Sequence, residues 1–278
     1  MPQGLRCGRF RLKPIGRPWV MGILNITPDS FSDGGRFLAL GAALRQAERM
    51  AQEGADLIDI GGESTRPGAT PVSCEEELRR VLPIIRRVSG RLSVPLSIDT
   101  AKAEVARQAL DAGASLVNDV TALRGDPAMA SVVARARVPV ILMHMRGTPQ
   151  TMQRRTRYQH VVHDVRAALC LALQRALRAG IAKERLLIDP GLGFGKTPAQ
   201  NLDLLHHLDR FTALAPVVVG PSRKSFIGQV LDAPMEDRLV GTLACVAYAA
   251  AHGAAMVRVH DVKPAVQLLT MWKALQCA

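Results

Sequence analysis

The stretch Leu96-Ser-Ile-Asp-Thr-Ala-Lys-Ala-Glu-Val-Ala-Arg-Gln-Ala-Leu-Asp-Ala-Gly-Ala-Ser-Leu-Val-Asn-Asp119 holds one complete β–α–β unit. Leu96–Ile98 is an apolar run of strand length, and residues 101–112 follow as an Ala-rich helix. Gly113 sits where a C-terminal cap belongs, and Leu116–Val117 starts the next strand. The same alternation recurs outward in both directions. Strands are expected at Trp19–Leu24, Leu57–Ile60, Pro139–Met143, Leu186–Ile188, Val217–Val219 and Met256–Val259. Helices are expected at 38–53, 75–89, 127–136, 160–179, 198–208, 224–252 (broken near Pro234) and 262–275. Ser73-x-x-Glu76 and Thr197-Pro198-x-Gln200 read as capping boxes, and Gly54 and Gly180 as further helix ends. Eight strand–helix pairs without a second composition zone define an α/β chain with one (β/α)8 TIM barrel over residues 19–278. Residues 1–18 form a short N-terminal β-hairpin segment that plugs or flanks the bottom. An open doubly wound sheet is the alternative, which eight consecutive units after one hairpin disfavour.

Composition narrows the classes further. Lys and Arg number 36 against 24 Asp and Glu, a net charge of +12 that favours anionic small substrates. The arginines are interspersed with acids, only Arg6 to Arg17 runs without one, and aromatics make up 4%. That leaves few stacking platforms, so nucleic acid is not the expected partner. Five cysteines without a CxxC pair give neither a disulfide framework nor a zinc-thiolate site, and fit a reducing cytoplasm. Val240–Val257 is long enough for a membrane span, but its Ala, Gly, Thr242 and His252 fit a helix buried in protein. No signal peptide is visible, so a cytoplasmic protein is expected.

In such barrels the chemistry lies at the C-terminal ends of the strands. Those ends read Asn25, Gly61-Gly62-Glu63, Asp99, Asn118-Asp119, His144, Asp189, Ser222-Arg223-Lys224, and Arg258 with His260. Singly, Asp99 reads equally well as a helix cap, Asp189 as the start of an Asp-Pro-Gly turn and Asn118 as an Asx turn. Jointly, a ring of carboxylates, amides and cations defines a polar binding mouth. Asp99, Asn118 and Asp189 suit a flat, nitrogen-rich heterocycle with several N–H donors. Arg258 and His260 point the same way along a strand and read as a cation pair for a phosphate. Arg223 and Lys224 fall in the expected first turn of a helix, where cations oppose the dipole and call for an anionic neighbour. Ser222 at that N-terminus reads as a carboxylate or phosphate seat. Gly191-Leu-Gly-Phe-Gly-Lys-Thr197 is one residue short of a Walker motif, so ATP is not expected. The turn-rich stretches Thr27–Gly35 and Glu63–Gly68 read as mobile lids, and His144 as a histidine behind the site.

Several motifs together resemble one family. Met21-Gly-Ile-Leu-Asn-Ile-Thr-Pro-Asp-Ser-Phe-Ser-Asp-Gly-Gly35 and Asp59-Ile-Gly-Gly-Glu-Ser-Thr-Arg-Pro-Gly68 are long and specific. With Ser97-Ile-Asp-Thr100, Asn118-Asp-Val120, Asp189-Pro-Gly191, Ser222-Arg-Lys-Ser225 and Arg258-Val-His-Asp261, they are similar to the signatures of bacterial dihydropteroate synthases. That family adopts a (β/α)8 barrel, usually as a homodimer. It joins 6-hydroxymethyl-7,8-dihydropterin diphosphate to 4-aminobenzoate in folate biosynthesis, releasing pyrophosphate, and is the sulfonamide target.

The resemblance implies roles by motif. Asp99, Asn118, Asp189 and Lys224 hold the pterin, and Asn25 meets Mg²⁺ on the diphosphate. Arg258, Val259 and His260 bind the phosphates, and Thr65 contacts the pterin diphosphate. Ser222 takes the aminobenzoate carboxylate between Phe31, Pro67 and Phe194, while Arg66 organises the two loops. Asp99, Lys224, Arg258 and His260 are the expected catalytic set. Two rivals carry distinct expectations: a pterin-binding methyltransferase, which lacks the first two loop signatures, and a barrel aldolase with Lys224 as a Schiff-base lysine in an apolar setting.

Overall fold

The computed structural model describes residues 4–26, 35–154 and 156–276. A hairpin of β1 (Leu5–Cys7) and β2 (Phe10–Leu12) precedes eight parallel strands. These are β3 (Trp19–Asn25), β4 (Leu57–Gly61), β5 (Leu96–Asp99), β6 (Leu116–Asp119), β7 (Val140–Met143), β8 (Leu186–Asp189), β9 (Val218–Val219) and β10 (Met256–Val259). They run in the order β8-β7-β6-β5-β4-β3-β10-β9. A parallel bridge between Ile188 and Val217 joins the two ends, so the sheet closes and the open-sheet alternative falls.

Period-2 alternation along each strand decides which residues fill the barrel. Val20, Ile58, Ile60, Ile98, Val117, Val140, Leu142, Ile188 and Val257 face outward and share one core with the surrounding helices. Met21, Leu57, Leu116, Ile141, Leu187, Val218 and Met256 face inward at the lower end, packed with Leu5 and Cys7 of the hairpin. The hairpin therefore plugs the bottom, as its alternating pattern implied. One or two inward positions further up, the lining changes to Asp59, Ser97, Asp99, Asn118 and Arg258. The interior is apolar below and largely polar above because the sequence switches residue type midway along most of the strands.

The helices are α1 (Gly35–Gln52), α2 (Cys74–Val88), α3 (Ala103–Asp111), α4 (Met129–Ala136), α5 (Val161–Arg178), α6 (Pro198–His206), α7 (Asp209–Thr212), α8 (Ser225–Leu231), α9 (Leu239–Ala251) and α10 (Val262–Gln276). Thr197 makes the full capping box of α6, accepting from Gln200 N at 3.3 Å while Gln200 Oε1 accepts from Thr197 N at 2.9 Å. Ser73 makes only half of one. Its hydroxyl accepts from Glu76 N at 3.1 Å, but the Glu76 carboxylate is drawn to Arg79 and Arg80. The expected helix over 224–252 is broken where Asp232 turns left-handed and Pro234 follows, giving α8, a 3-10 turn over Met235–Arg238, and α9. Thr242, Val246, Ala249 and Ala250 of α9 are buried in protein. No helix among the described residues is long and apolar enough to cross a membrane.

Candidate active site

Strand register assembles the site. Asn25 pairs with Gly61, Gly61 with Asp99, and Asp99 with Asn118, so four neighbouring strands end level with one another. Asp189 ends β8 on the far wall beside Met143. A Cβ on Gly61 would stand 3.7 Å from Asp99 Oδ2 and 3.8 Å from Asn25 Oδ1. The glycine thus keeps open a gap onto which an amide oxygen and a carboxylate converge.

The floor is a network that sequence reading did not single out as such. Arg258 donates from Nε to Asp59 Oδ2 at 2.6 Å and from Nη2 to Asp99 Oδ2 at 2.7 Å, and Asn118 Nδ2 donates to the same Asp59 oxygen at 3.0 Å. Asp59 is fully buried, and Asp99 and Asn118 almost so. Burial pushes the Asp99 carboxyl up to about 7 against the pull of the Arg258 charge, with Asp59 adding to the rise. Asp59 Oδ1 and Asp99 Oδ1 are buried without any donor. Native interiors seldom leave such acceptors unpaired, so these two oxygens mark where ligand N–H groups belong. The capping alternative for Asp99 fails, since Lys102 holds the N-cap position of α3 and Asp99 faces Arg258.

On the opposite wall, Asp189 Oδ1 accepts from Gly191 N at 2.6 Å, so it both shapes the turn and faces the mouth. Burial raises its pKa, opposed by the Lys224 charge. Lys224 lies just before α8 in extended conformation, and Arg223 is left-handed at φ 55°. Neither occupies a helical turn, which corrects the dipole expectation. Arg223 has its anion within the protein, a bidentate pair with Asp261 at 2.9 and 2.6 Å. Lys224 Nζ donates to the Leu192 carbonyl and stands 4.5 Å from the Phe194 ring centroid. Burial draws its pKa down to about 8, with Asp189 pulling the other way. Phe194 also packs against Val120, Met143, Met145 and Met152, an apolar wall beside the polar floor that carried no motif in the sequence.

Ser222 sits three residues before α8, so it is not a seat on that helix's N-terminus. Its Oγ accepts from His260 N at 3.1 Å and lies 3.0 Å from His260 Nδ1. The hydroxyl can donate to Nδ1 or accept from it, so the pair orients the imidazole in either tautomer. Burial, then the Arg258 charge, lowers the His260 pKa to about 4. The expected cation pair is therefore one committed guanidinium and one neutral imidazole. Val259 packs into the outer core, so only its main chain is available to a ligand. Thr65 is half-buried, and Arg66 and Pro67 are exposed on the loop after β4. Arg66 is close enough to His260 to depress its pKa, and Gly68 N donates to Pro149 O at 3.0 Å. Behind this loop, Glu63 and the buried Glu77 share Lys102. Phe31 lies outside the described residues.

A closed barrel with orphaned acceptors on its floor and cations at its rim defines an enzyme of the (β/α)8 class that takes a nitrogen heterocycle. The model of the pterin-binding enzymes matches residues 21–260, and the chain belongs to that family. The dihydropteroate synthase of Synechocystis sp. is 50% identical over 261 residues, spanning 93% of this chain and 90% of that protein. Among solved structures, Xanthomonas albilineans dihydropteroate synthase with 4-aminobenzoic acid superposes with a TM-score of 0.93 at 50% identity, covering 99% of both chains. The same enzyme in complex with 7,8-dihydropteroate gives a TM-score of 0.90 at 47% identity, also over 99% of both chains.

Proposed function

We propose that this chain catalyses the dihydropteroate synthase reaction of folate biosynthesis. The methylene carbon of 6-hydroxymethyl-7,8-dihydropterin diphosphate passes to the amine of 4-aminobenzoate, giving 7,8-dihydropteroate and pyrophosphate. The observation that carries this reading is the donor-free pair Asp59 Oδ1 and Asp99 Oδ1 on the floor of the mouth. A pterin presents ring and amino N–H groups along one edge, the complement of buried carboxylates. Asn118 gives one amide N–H to Asp59 and has its oxygen for the ring, and Asp189 takes a further donor. Lys224 Nζ, held by the Leu192 carbonyl, has further N–H groups to donate to a ring acceptor.

At the rim, the His260 imidazole, Thr65 and Arg66 face the diphosphate, with the Arg258 guanidinium beneath them. As the C–O bond breaks, charge grows on the leaving diphosphate and is met by these fixed donors. Asp99 faces the positive charge that develops on the pterin. The neutral arylamine then forms the C–N bond and releases its proton to solvent, so no strong base is needed. The 4-aminobenzoate seat lies between Phe194, Pro67 and Phe31, with Ser222 toward its carboxylate. Sulfonamides share that shape and are expected to compete there.

Asn25 fits a Mg²⁺ that arrives with the diphosphate, because its amide oxygen opens onto the gap kept by Gly61. Bound there, the ion would neutralise the leaving phosphates. A homodimer fits the exposed apolar side chains of Leu202, Val240, Tyr248, Met271 and Leu275, spread over α6, α9 and α10. A cytoplasmic setting suits the free thiols of Cys7, Cys74, Cys170 and Cys245.

Mixing the purified protein with both substrates and Mg²⁺ tests the reading by pyrophosphate release and appearance of dihydropteroate. Pterin binding without release of pyrophosphate would overturn it. A lysine adduct trapped by borohydride would move Lys224 to the aldolase class.

A further inference from the structure

Lys196 has no part in the reaction described above, yet it is 4% exposed and ends the glycine loop between β8 and α6. Its Nζ donates to Gly191 O at 2.8 Å and to Phe194 O at 3.0 Å, and meets His144 Nδ1 at 3.1 Å. With the His144 carbonyl a longer fourth at 3.5 Å, the acceptors around the amine are three carbonyls and one imidazole nitrogen, none of them a carboxylate. Burial draws the Lys196 pKa to about 7 and holds that of His144 near 2, so the imidazole is a neutral acceptor.

The loop is folded around this nitrogen. Gly191, Gly193 and Gly195 have φ values of 71°, 80° and 64°, which side chains resist. A Cβ on Gly191 would overlap the His144 carbonyl oxygen, and one on Gly193 would stand 3.0 Å from Lys224 Cδ. Turning the Gly191 and Phe194 carbonyls inward, toward Lys196, leaves the Leu192 carbonyl facing the mouth, where it accepts from Lys224 Nζ. The same turn sets the Phe194 ring beside that ammonium. Asn201 Oδ1 holds Gly193 N at 2.7 Å and fixes the loop from the α6 side.

We infer that Lys196 is a positioning residue: its caged side chain folds the Gly191–Gly195 loop so that Leu192 O and Phe194 place Lys224 for the pterin ring. This rests on the reading of Lys224 as a pterin donor. Burying a lysine is costly, and a structural plug would serve as well with an apolar side chain. The cage of carbonyls explains why an amine stands there instead.

A double-mutant cycle tests the inference, with 6-hydroxymethylpterin titrated into wild type, Lys196→Met, Lys224→Met and the double variant by calorimetry. Lys224→Met alone reads the site assignment, and unchanged affinity in it would overturn both readings. With that loss in place, Lys196→Met is expected to bind at least about tenfold more weakly, with the double variant within about twofold of Lys224→Met. Wild-type affinity in Lys196→Met, or losses that multiply in the double variant, would overturn the inference while leaving the Lys224 assignment standing. If Lys196→Met does not give a cooperative melt, Lys196→Gln, which keeps a donor, takes its place under the same two criteria.

Discussion

Asp59 and Asp99 share one guanidinium at the floor of the mouth, and Asp99 combines a pKa near 7 with a donor-free oxygen. Folded Asp99 holds its proton to higher pH than the unfolded chain does, so its ionisation removes stability as pH rises from about 4 through 7. Ligand binding runs the other way, since a ring N–H is best accepted by the carboxylate. Affinity for 6-hydroxymethylpterin is therefore expected to rise between pH 6 and 8, and Asp99→Asn to lose that rise; a calorimetric pH series reads both. Asp59 belongs to the same argument although it lies mid-strand, away from the strand ends where catalytic groups are sought. The signal was present in Leu57-Ile-Asp-Ile60, where an aspartate takes an inward position between apolar neighbours. Asp59→Asn takes a charged acceptor from both Arg258 and Asn118. A loss of about 1.5–3 kcal/mol in urea denaturation is expected, with activity falling at least about tenfold.

Among the elements, α6 shows how a helix start fixes a loop. Thr197 closes the capping box immediately after Lys196, and Pro198 supplies the preset first turn. Thr197→Ala should cost about 1 kcal/mol, a fall in Tm of about 2–4 °C for a chain of this size. No shift in a thermal melt would mean that the cap is redundant. The short α8 is the counterexample. Sequence periodicity extended that helix back to Lys224, but the left-handed Arg223 and its pair with Asp261 end the strand-to-helix turn later. A pairing across 38 positions cannot be read from local pattern, which is why the expected anionic neighbour proved to be a side chain of the protein itself.

For the molecule as a whole, the mouth and the hairpin plug occupy opposite ends of the barrel, so stability and chemistry can be separated. Leu5 is fully buried against the inward residues of the bottom layer. Leu5→Ala should cost about 2–5 kcal/mol, while turnover per folded molecule stays at the wild-type level; a parallel loss of turnover would contradict the separation. Acid stability tests the buried histidines. His144 and His260 refuse protons that the unfolded chain accepts, their pKa values lowered to about 2 and about 4. Below the ordinary histidine value near 6.5 the unfolded state gains protons and stability falls with pH, against the opposite contribution of Asp99. The histidine contribution should therefore lower the urea midpoint between pH 7 and pH 5, so His260→Gln should show a smaller drop, or a larger rise, than wild type over that range.

The sequence by itself determined the barrel, because eight apolar runs of strand length, each followed by a helical pattern, leave few ways to bury so much surface. It also placed Asn25, Asp99, Asn118, Asp189 and Arg258 at one mouth, since strand ends in a parallel barrel must converge. Tertiary structure alone decided how those groups divide the work. Arg258 is shared between two carboxylates, His260 is a neutral imidazole held by Ser222, Val259 turns to the helices, and Lys196 is caged behind the pterin wall. Each of these depends on residues tens to nearly two hundred positions apart meeting within hydrogen-bond distance, and on burial that shifts their proton affinities. Spacing along a chain encodes neither.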